Sequence, residues 1–135
     1  RRIDAGELSP DFGPARLDPA VGAALVGARQ PLIAFNVNLR GTVEAARAIA
    51  AVIREHEGGG FAGVRALGLE LAGVGLVQVS MNVEDWQVSP LHLLVARVAA
   101  EAQARGMEVV GSELVGLMPA GAAAVAPIIT SMREK

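Results

Sequence analysis

An eight-residue stretch whose side chains alternate from Ile33 onward constrains this sequence more than any other feature. Residues 32–39 read Leu-Ile-Ala-Phe-Asn-Val-Asn-Leu, so that Ile33, Phe35 and every second side chain after them are large and apolar. A period of two is typical of a β-strand, whose successive side chains point to opposite faces of a sheet. We therefore predict a strand with one apolar face and one face that carries small and amide side chains.

Two amphipathic helices are predicted from apolar residues that recur with a helical period. The first runs from an N-cap at Thr42 to about residue 57. The second runs to about residue 105 and opens at Ser89, the predicted N-cap, with Pro90 at the first helical position.

Three further strands are predicted at residues 64–71, 76–82 and 107–113, the first two forming a hairpin. The resulting order is β-α-β-β-α-β, which is the order of ferredoxin-like folds. We predict an α+β fold with a four-stranded, mainly antiparallel sheet whose first and third strands are central. Both helices cover one face of the sheet.

The sequence of 135 residues is long enough for one folded domain with a modest core. Residues 1–20 are polar and rich in turn-forming residues, which predicts a linker or arm, and residues 21–135 form the folded unit. A C-terminal helical extension starts at Pro119 and is interrupted at Pro127. Because the sequence starts without Met or a signal segment, its simplest interpretation is a piece of a longer cytoplasmic chain.

The composition excludes several classes of protein. A formal net charge of −2, from 12 basic and 14 acidic residues without a like-charge block, lacks the basic footprint of nucleic-acid binding. No apolar run reaches the roughly 20 residues of a membrane span. The absence of cysteine excludes disulfides, thiolate catalysis and thiolate zinc sites, and two separated histidines make a metal centre unexpected.

The sheet face away from the helices is the most informative predicted surface. Burial directs the large apolar side chains of the central strands toward the helices, so the opposite face carries uncharged hydrogen-bonding groups. These are Asn36, Asn38, Gln78, Ser80 and Asn82. Two interpretations stay open: a solvent-exposed polar face, or a contact surface for a ligand or a neighbouring domain, which amides suit because they pair a donor with an acceptor.

No segment supplies a complete catalytic constellation, and no catalytic residue is assigned. Residues 58–63 spell G-x-G-x-x-G, but a helix precedes them and a strand follows, the reverse of a dinucleotide site. His92, in the first turn of the second helix, has no identifiable carboxylate to orient it as a base, and His56 is a helix-end charge. Arg29 and Arg65, which flank the first two strands, are either ion-paired surface residues or anion ligands.

Several ordered segments together resemble the C-terminal subdomain of glutamate formiminotransferases, over roughly residues 10–125. The segments are 10–14 (PDFGP), 27–29 (GAR), 32–39 (LIAFNVNL), 64–68 (VRALG), 78–82 (QVSMN), 90–92 (PLH) and 112–119 (SELVGLMP). The resemblance implies transfer of the formimino group of N-formimino-L-glutamate to tetrahydrofolate, a co-substrate, in histidine degradation. It also implies two ferredoxin-like subdomains with facing sheets, folate in a tunnel between them, and a homodimer.

The resemblance also implies roles for individual residues. The catalytic histidine of the family belongs to the N-terminal subdomain, which this sequence lacks, so neither His56 nor His92 inherits that role. The amide-bearing face would line the folate tunnel, and Arg29 and Arg65 would attract the carboxylates of folate or substrate. Two alternatives remain: a stand-alone binding or dimerisation module without catalysis, and the same tunnel acting on 5-formyltetrahydrofolate.

Overall fold

A computed structural model describes residues 2–123 of the chain. Four strands and three helices follow one another along these residues. They are β1 (Ile33–Arg40), α1 (Val43–Ile53), β2 (Val64–Leu71), β3 (Leu76–Val83), α2 (Leu91–Ala104), β4 (Glu108–Val115) and α3 (Ala120–Ala123). The predicted β-α-β-β-α-β order is confirmed, while the remainder of the predicted C-terminal helical stretch lies outside the described residues.

The four strands form one sheet in the order β2-β3-β1-β4, with every neighbouring pair antiparallel. β1 and β3 are central because each helical connection passes over one strand. The connection from β1 to β2 leaves a place that β3 fills, and the connection from β3 to β4 leaves a place that β1 fills. This is the predicted ferredoxin-like α+β architecture.

The core lies between the sheet and α1 and α2, on one face of the sheet only. In β1 the alternating apolar side chains Ile33, Phe35, Val37 and Leu39 are all buried, as predicted. The helices contribute the predicted stripes, Ala46, Ile49, Ala50 and Ile53 from α1 and Leu91, Leu94, Val95, Val98 and Ala102 from α2. Removal of this apolar surface from water fixes which way each strand faces.

The start of α1 follows the prediction and its end does not. The Thr42 side chain accepts a hydrogen bond from the backbone N–H of Ala45 at 3.2 Å, which confirms the N-cap. The helix ends at Ile53 rather than near residue 57, because Arg54 is already extended and the chain then turns at Gly60. Gly60 has φ of +75°, and a Cβ there would lie 2.0 Å from the carbonyl oxygen of Arg54.

The predicted N-cap of α2 is wrong. The helix begins at Leu91, its N-cap position is Pro90, and no side chain caps it. The hydroxyl of the buried Ser89 instead donates a 2.6 Å hydrogen bond to the carbonyl oxygen of Ala62. The Ser89 hydroxyl therefore bonds to a residue distant in the sequence instead of capping α2 as local sequence rules predict.

Residues 2–32 contain no helix or strand, and the apolar side chains of Phe12 and Leu25 are 94% and 104% exposed. None of the helices within the described part of the chain combines the length and apolar character needed to cross a membrane.

Gly68, in β2, lies directly against the backbone of α1. A Cβ at this position would lie 2.3 Å from the backbone N of Arg47, whereas a Cβ at Gly111 in β4 would meet nothing within 4 Å. We expect Gly68→Ala to lower the free energy of unfolding by about 1–3 kcal/mol, because helix and strand must separate. Urea unfolding measures the effect, with Gly111→Ala as the matched control. Equal stability of the two variants would contradict this packing.

Candidate functional site

The sheet face turned away from the helices, called the open face below, is organised in rows that run across the strands. Residues paired across neighbouring strands point to the same face, so the registers define which side chains adjoin. From β2 to β4, one row is Leu67, Ser80, Asn36 and Glu113; the next is Leu69, Gln78, Asn38 and Gly111; the third is Arg65, Asn82, Ala34 and Val115. All five predicted polar residues thus lie on the open face.

Two of the predicted amides form a short hydrogen bond with each other on the open face. The amide nitrogen Nε2 of Gln78 donates to Oδ1 of Asn38 at 2.8 Å. Gln78 is only 6% exposed although it lies away from the helices. Its burial is tolerated because the amide NH₂ has an acceptor. One polar atom of each amide is used in this bond, and the pair fixes both side chains.

Glu113 is a functional candidate that sequence reasoning missed. The amide nitrogen of Asn36 lies 3.5 Å from Oε2 of Glu113, its register partner on β4. Strict alternation from the buried Met107 would place Glu113 on the helix side. The register of β4 shifts at Val110, which is left without a partner across the ladder, and this bulge turns Glu113 to the open face.

The two predicted arginines meet at one end of the open face. Nη1 of Arg29 lies 3.4 Å and Nε of Arg65 lies 3.6 Å from the same oxygen, Oε1 of Glu84. Arg65 is also the register partner of Asn82. The arginine side chains are 68% and 70% exposed, so this surface ion pairing contributes little to stability. One carboxylate is thus shared by two guanidinium groups.

The histidines lie away from the open face. His56 follows α1 and forms a β-bridge with Gly59, and His92 lies in the first turn of α2 within the helix layer. Within residues 2–123, no three His, Asp or Glu side chains form a group that could hold a metal ion. The open face offers hydrogen-bonding groups and one carboxylate, with two exposed arginine side chains at one end, which suits binding of a polar ligand.

The amide pair makes a testable contribution to stability. We expect Asn38→Ala to lower the free energy of unfolding by about 1–3 kcal/mol, because it leaves the buried amide of Gln78 without its acceptor. Asn36→Ala is the matched control and should change stability by less than about 0.5 kcal/mol, since it removes only one long contact. Urea unfolding measures both variants, and a cost no larger for Asn38→Ala than for Asn36→Ala would contradict the assigned role of the pair.

Comparison with known proteins identifies the family. A sequence model described as "Formiminotransferase domain" matches residues 34–128. The chain is 42% identical over 123 residues to a formimidoyltransferase-cyclodeaminase of Sus scrofa, with 87% of this chain and 23% of that protein covered. It is 40% identical over 117 residues to a glutamate formimidoyltransferase of Streptococcus pyogenes serotype M1, with 86% of this chain and 39% of that protein covered. This chain is a member of the formiminotransferase-domain family.

Proposed function

We propose that the chain is the folate-binding half of a cytoplasmic glutamate formiminotransferase, which transfers the formimino group of N-formimino-L-glutamate to tetrahydrofolate. The observation that carries this proposal is the open face, where amide side chains cover the central strands of a sheet in a formiminotransferase-family chain. Relatives named glutamate formimidoyltransferase support the reaction class.

The amides of the open face would bind the pterin of tetrahydrofolate. The edge of a pterin carries both hydrogen-bond donors and acceptors, and a carboxamide presents one of each. The Gln78–Asn38 pair holds two of these carboxamides in fixed positions, so less side-chain entropy is lost when a ligand binds. Asn36, Ser80 and Asn82 extend the same polar surface along the two central strands.

The arginine corner would attract the carboxylates of the folate glutamate or of formimino-glutamate. Guanidinium groups bind carboxylates through paired N–H donors. Glu84 contacts Arg29 and Arg65 through one oxygen each time, at distances of 3.4 and 3.6 Å. A ligand carboxylate with a closer geometry would compete with Glu84 for these donors.

In the proposed reaction, a nitrogen of tetrahydrofolate attacks the formimino carbon of the substrate. The new C–N bond forms as the bond to the glutamate nitrogen breaks, and that nitrogen gains a proton while the attacking nitrogen loses one. We assign this acid–base work to an N-terminal subdomain rather than to His56 or His92, which lie away from the open face. The residues of this chain bind and orient the reactants.

The partner of the open face would be that N-terminal formiminotransferase subdomain, in an enzyme that forms a homodimer. The chain spans 23–39% of the length of the relatives cited above, so their remaining sequence provides room for such a subdomain. Leu67 and Leu69 on the β2 side of the open face are 61% and 41% exposed, and a facing sheet would remove them from water.

Alanine substitution at both Asn36 and Asn82 tests the role of the open face. In the full-length protein we expect tetrahydrofolate affinity to fall about tenfold or more, because two amide hydrogen bonds are lost while the core stays intact. Calorimetry measures the affinity, and circular dichroism verifies the fold. Gln103→Ala, which removes an exposed amide from α2, is the matched control. Wild-type affinity in the double variant would remove the role assigned to these residues.

The division of labour between subdomains gives a second test. A protein limited to residues 1–135 should show no formimino transfer above the uncatalysed rate, because the proposed acid–base group lies elsewhere. A coupled assay with both substrates measures turnover, and the far-ultraviolet spectrum reports whether the protein has folded. Substantial turnover by this folded segment would place the acid–base group within it.

A further inference from the structure

We propose that Glu113, positioned by Asn36, recognises the 2-amino-4-oxopyrimidine ring of the tetrahydropterin. This inference rests on the proposed function and assigns a specificity-determining residue to the same site. It would make the open face selective for a 2-amino-4-oxopterin over heterocycles that lack the 2-amino group.

The surroundings of Glu113 favour an unsatisfied carboxylate that a ligand can use. Among the residues that the structure describes, Glu113 forms no ion pair with arginine, which is also true of exposed acids outside the open face such as Glu44 and Glu70. Its contact with the Asn36 amide, at 3.5 Å, leaves both carboxylate oxygens able to accept further hydrogen bonds. The side chain is exposed on the open face, beside the central amides.

The chemistry of the ring selects a carboxylate over an amide. The N3–H and the 2-amino group are neighbouring donors on one edge, and an ionised carboxylate accepts from both through its two oxygens. An Asn or Gln side chain has only one acceptor at its end, so it would leave one of these donors unpaired. Of the residues in the three rows of the open face, Glu113 is the acid that can meet this edge.

The neighbouring positions supply the remaining contact and the space. Asn38 uses its oxygen toward Gln78, so its NH₂ can donate to the ring oxygen O4. Gly111, the register partner of Asn38, lies two residues before Glu113 on the same face. A Cβ at Gly111 would meet nothing within 4 Å, and its φ lies outside the left-handed region. The backbone conformation therefore does not require glycine at this position. The absence of a side chain leaves room for a flat ring.

The test compares tetrahydrofolate with its 2-desamino-2-methyl analogue, which lacks the 2-amino donor. Affinities are measured by calorimetry on the full-length wild-type protein and on Glu113→Ala. We expect the wild type to prefer tetrahydrofolate about tenfold or more, the effect of one charge-assisted hydrogen bond. Glu113→Ala should lose most of this preference, because tetrahydrofolate loses two donor contacts to the carboxylate, whereas the analogue, which keeps N3–H, loses one.

Two matched variants complete the experiment. Glu44→Ala removes an exposed carboxylate from the helix layer and should keep the wild-type preference. Gly111→Val places a side chain where the ring would lie and should weaken both ligands about tenfold without unfolding the sheet. An undiminished preference for tetrahydrofolate in Glu113→Ala would overturn the inference while the proposed function stands. Failure of the wild type to bind either ligand would overturn the proposed function itself.

Discussion

Burial of one apolar sheet face against two helices is the constraint on which the rest of this structure depends. The side chains of Phe35 in β1 and Val79 in β3 are at most 1% exposed. Because they are fixed in the core, the residues that alternate with them along each strand must point to the opposite face of the sheet. Because strand side chains alternate, packing on one side determines the chemistry displayed on the other. The rows of amides on the open face are therefore held in position by hydrophobic contacts on the opposite side of the sheet. A shift of β1 by one residue would bury two asparagines and destroy the core together with the candidate site.

The parts of the fold that follow from local periodicity were predictable. Residues 33–39 alternate so strictly that both faces of β1 could be assigned, and Thr42 precedes a helical stripe in the position of an N-cap. The order of the strands then followed from the handedness and connection rules for βαββαβ chains. The same reasoning placed all five uncharged residues on one surface, since each lies out of phase with a buried neighbour.

Features that depend on contacts between distant segments were not predictable. Ser89 has the sequence context of a helix cap, but the carbonyl oxygen of Ala62 lies close enough to accept from its hydroxyl. Glu84 joins Arg29 and Arg65, which are 36 residues apart in the chain, so no local pattern reveals that they share a partner. The unpaired Val110 turns Glu113 to the opposite face of the sheet. Neither Val109 nor Val110 is a residue type that indicates a bulge.

The irregularity in β4 has a consequence for the behaviour of the protein in solution. β4 is an edge strand, and the neighbouring Val109 and Val110 are 41% and 44% exposed. A straight edge with apolar side chains is a template onto which a strand of another molecule can add. The displaced residue interrupts the regular spacing of outward N–H and C=O groups, so an incoming strand cannot pair along the whole edge. The distortion that turns the Glu113 carboxylate toward the open face thus also makes this edge a poorer template for edge-to-edge pairing.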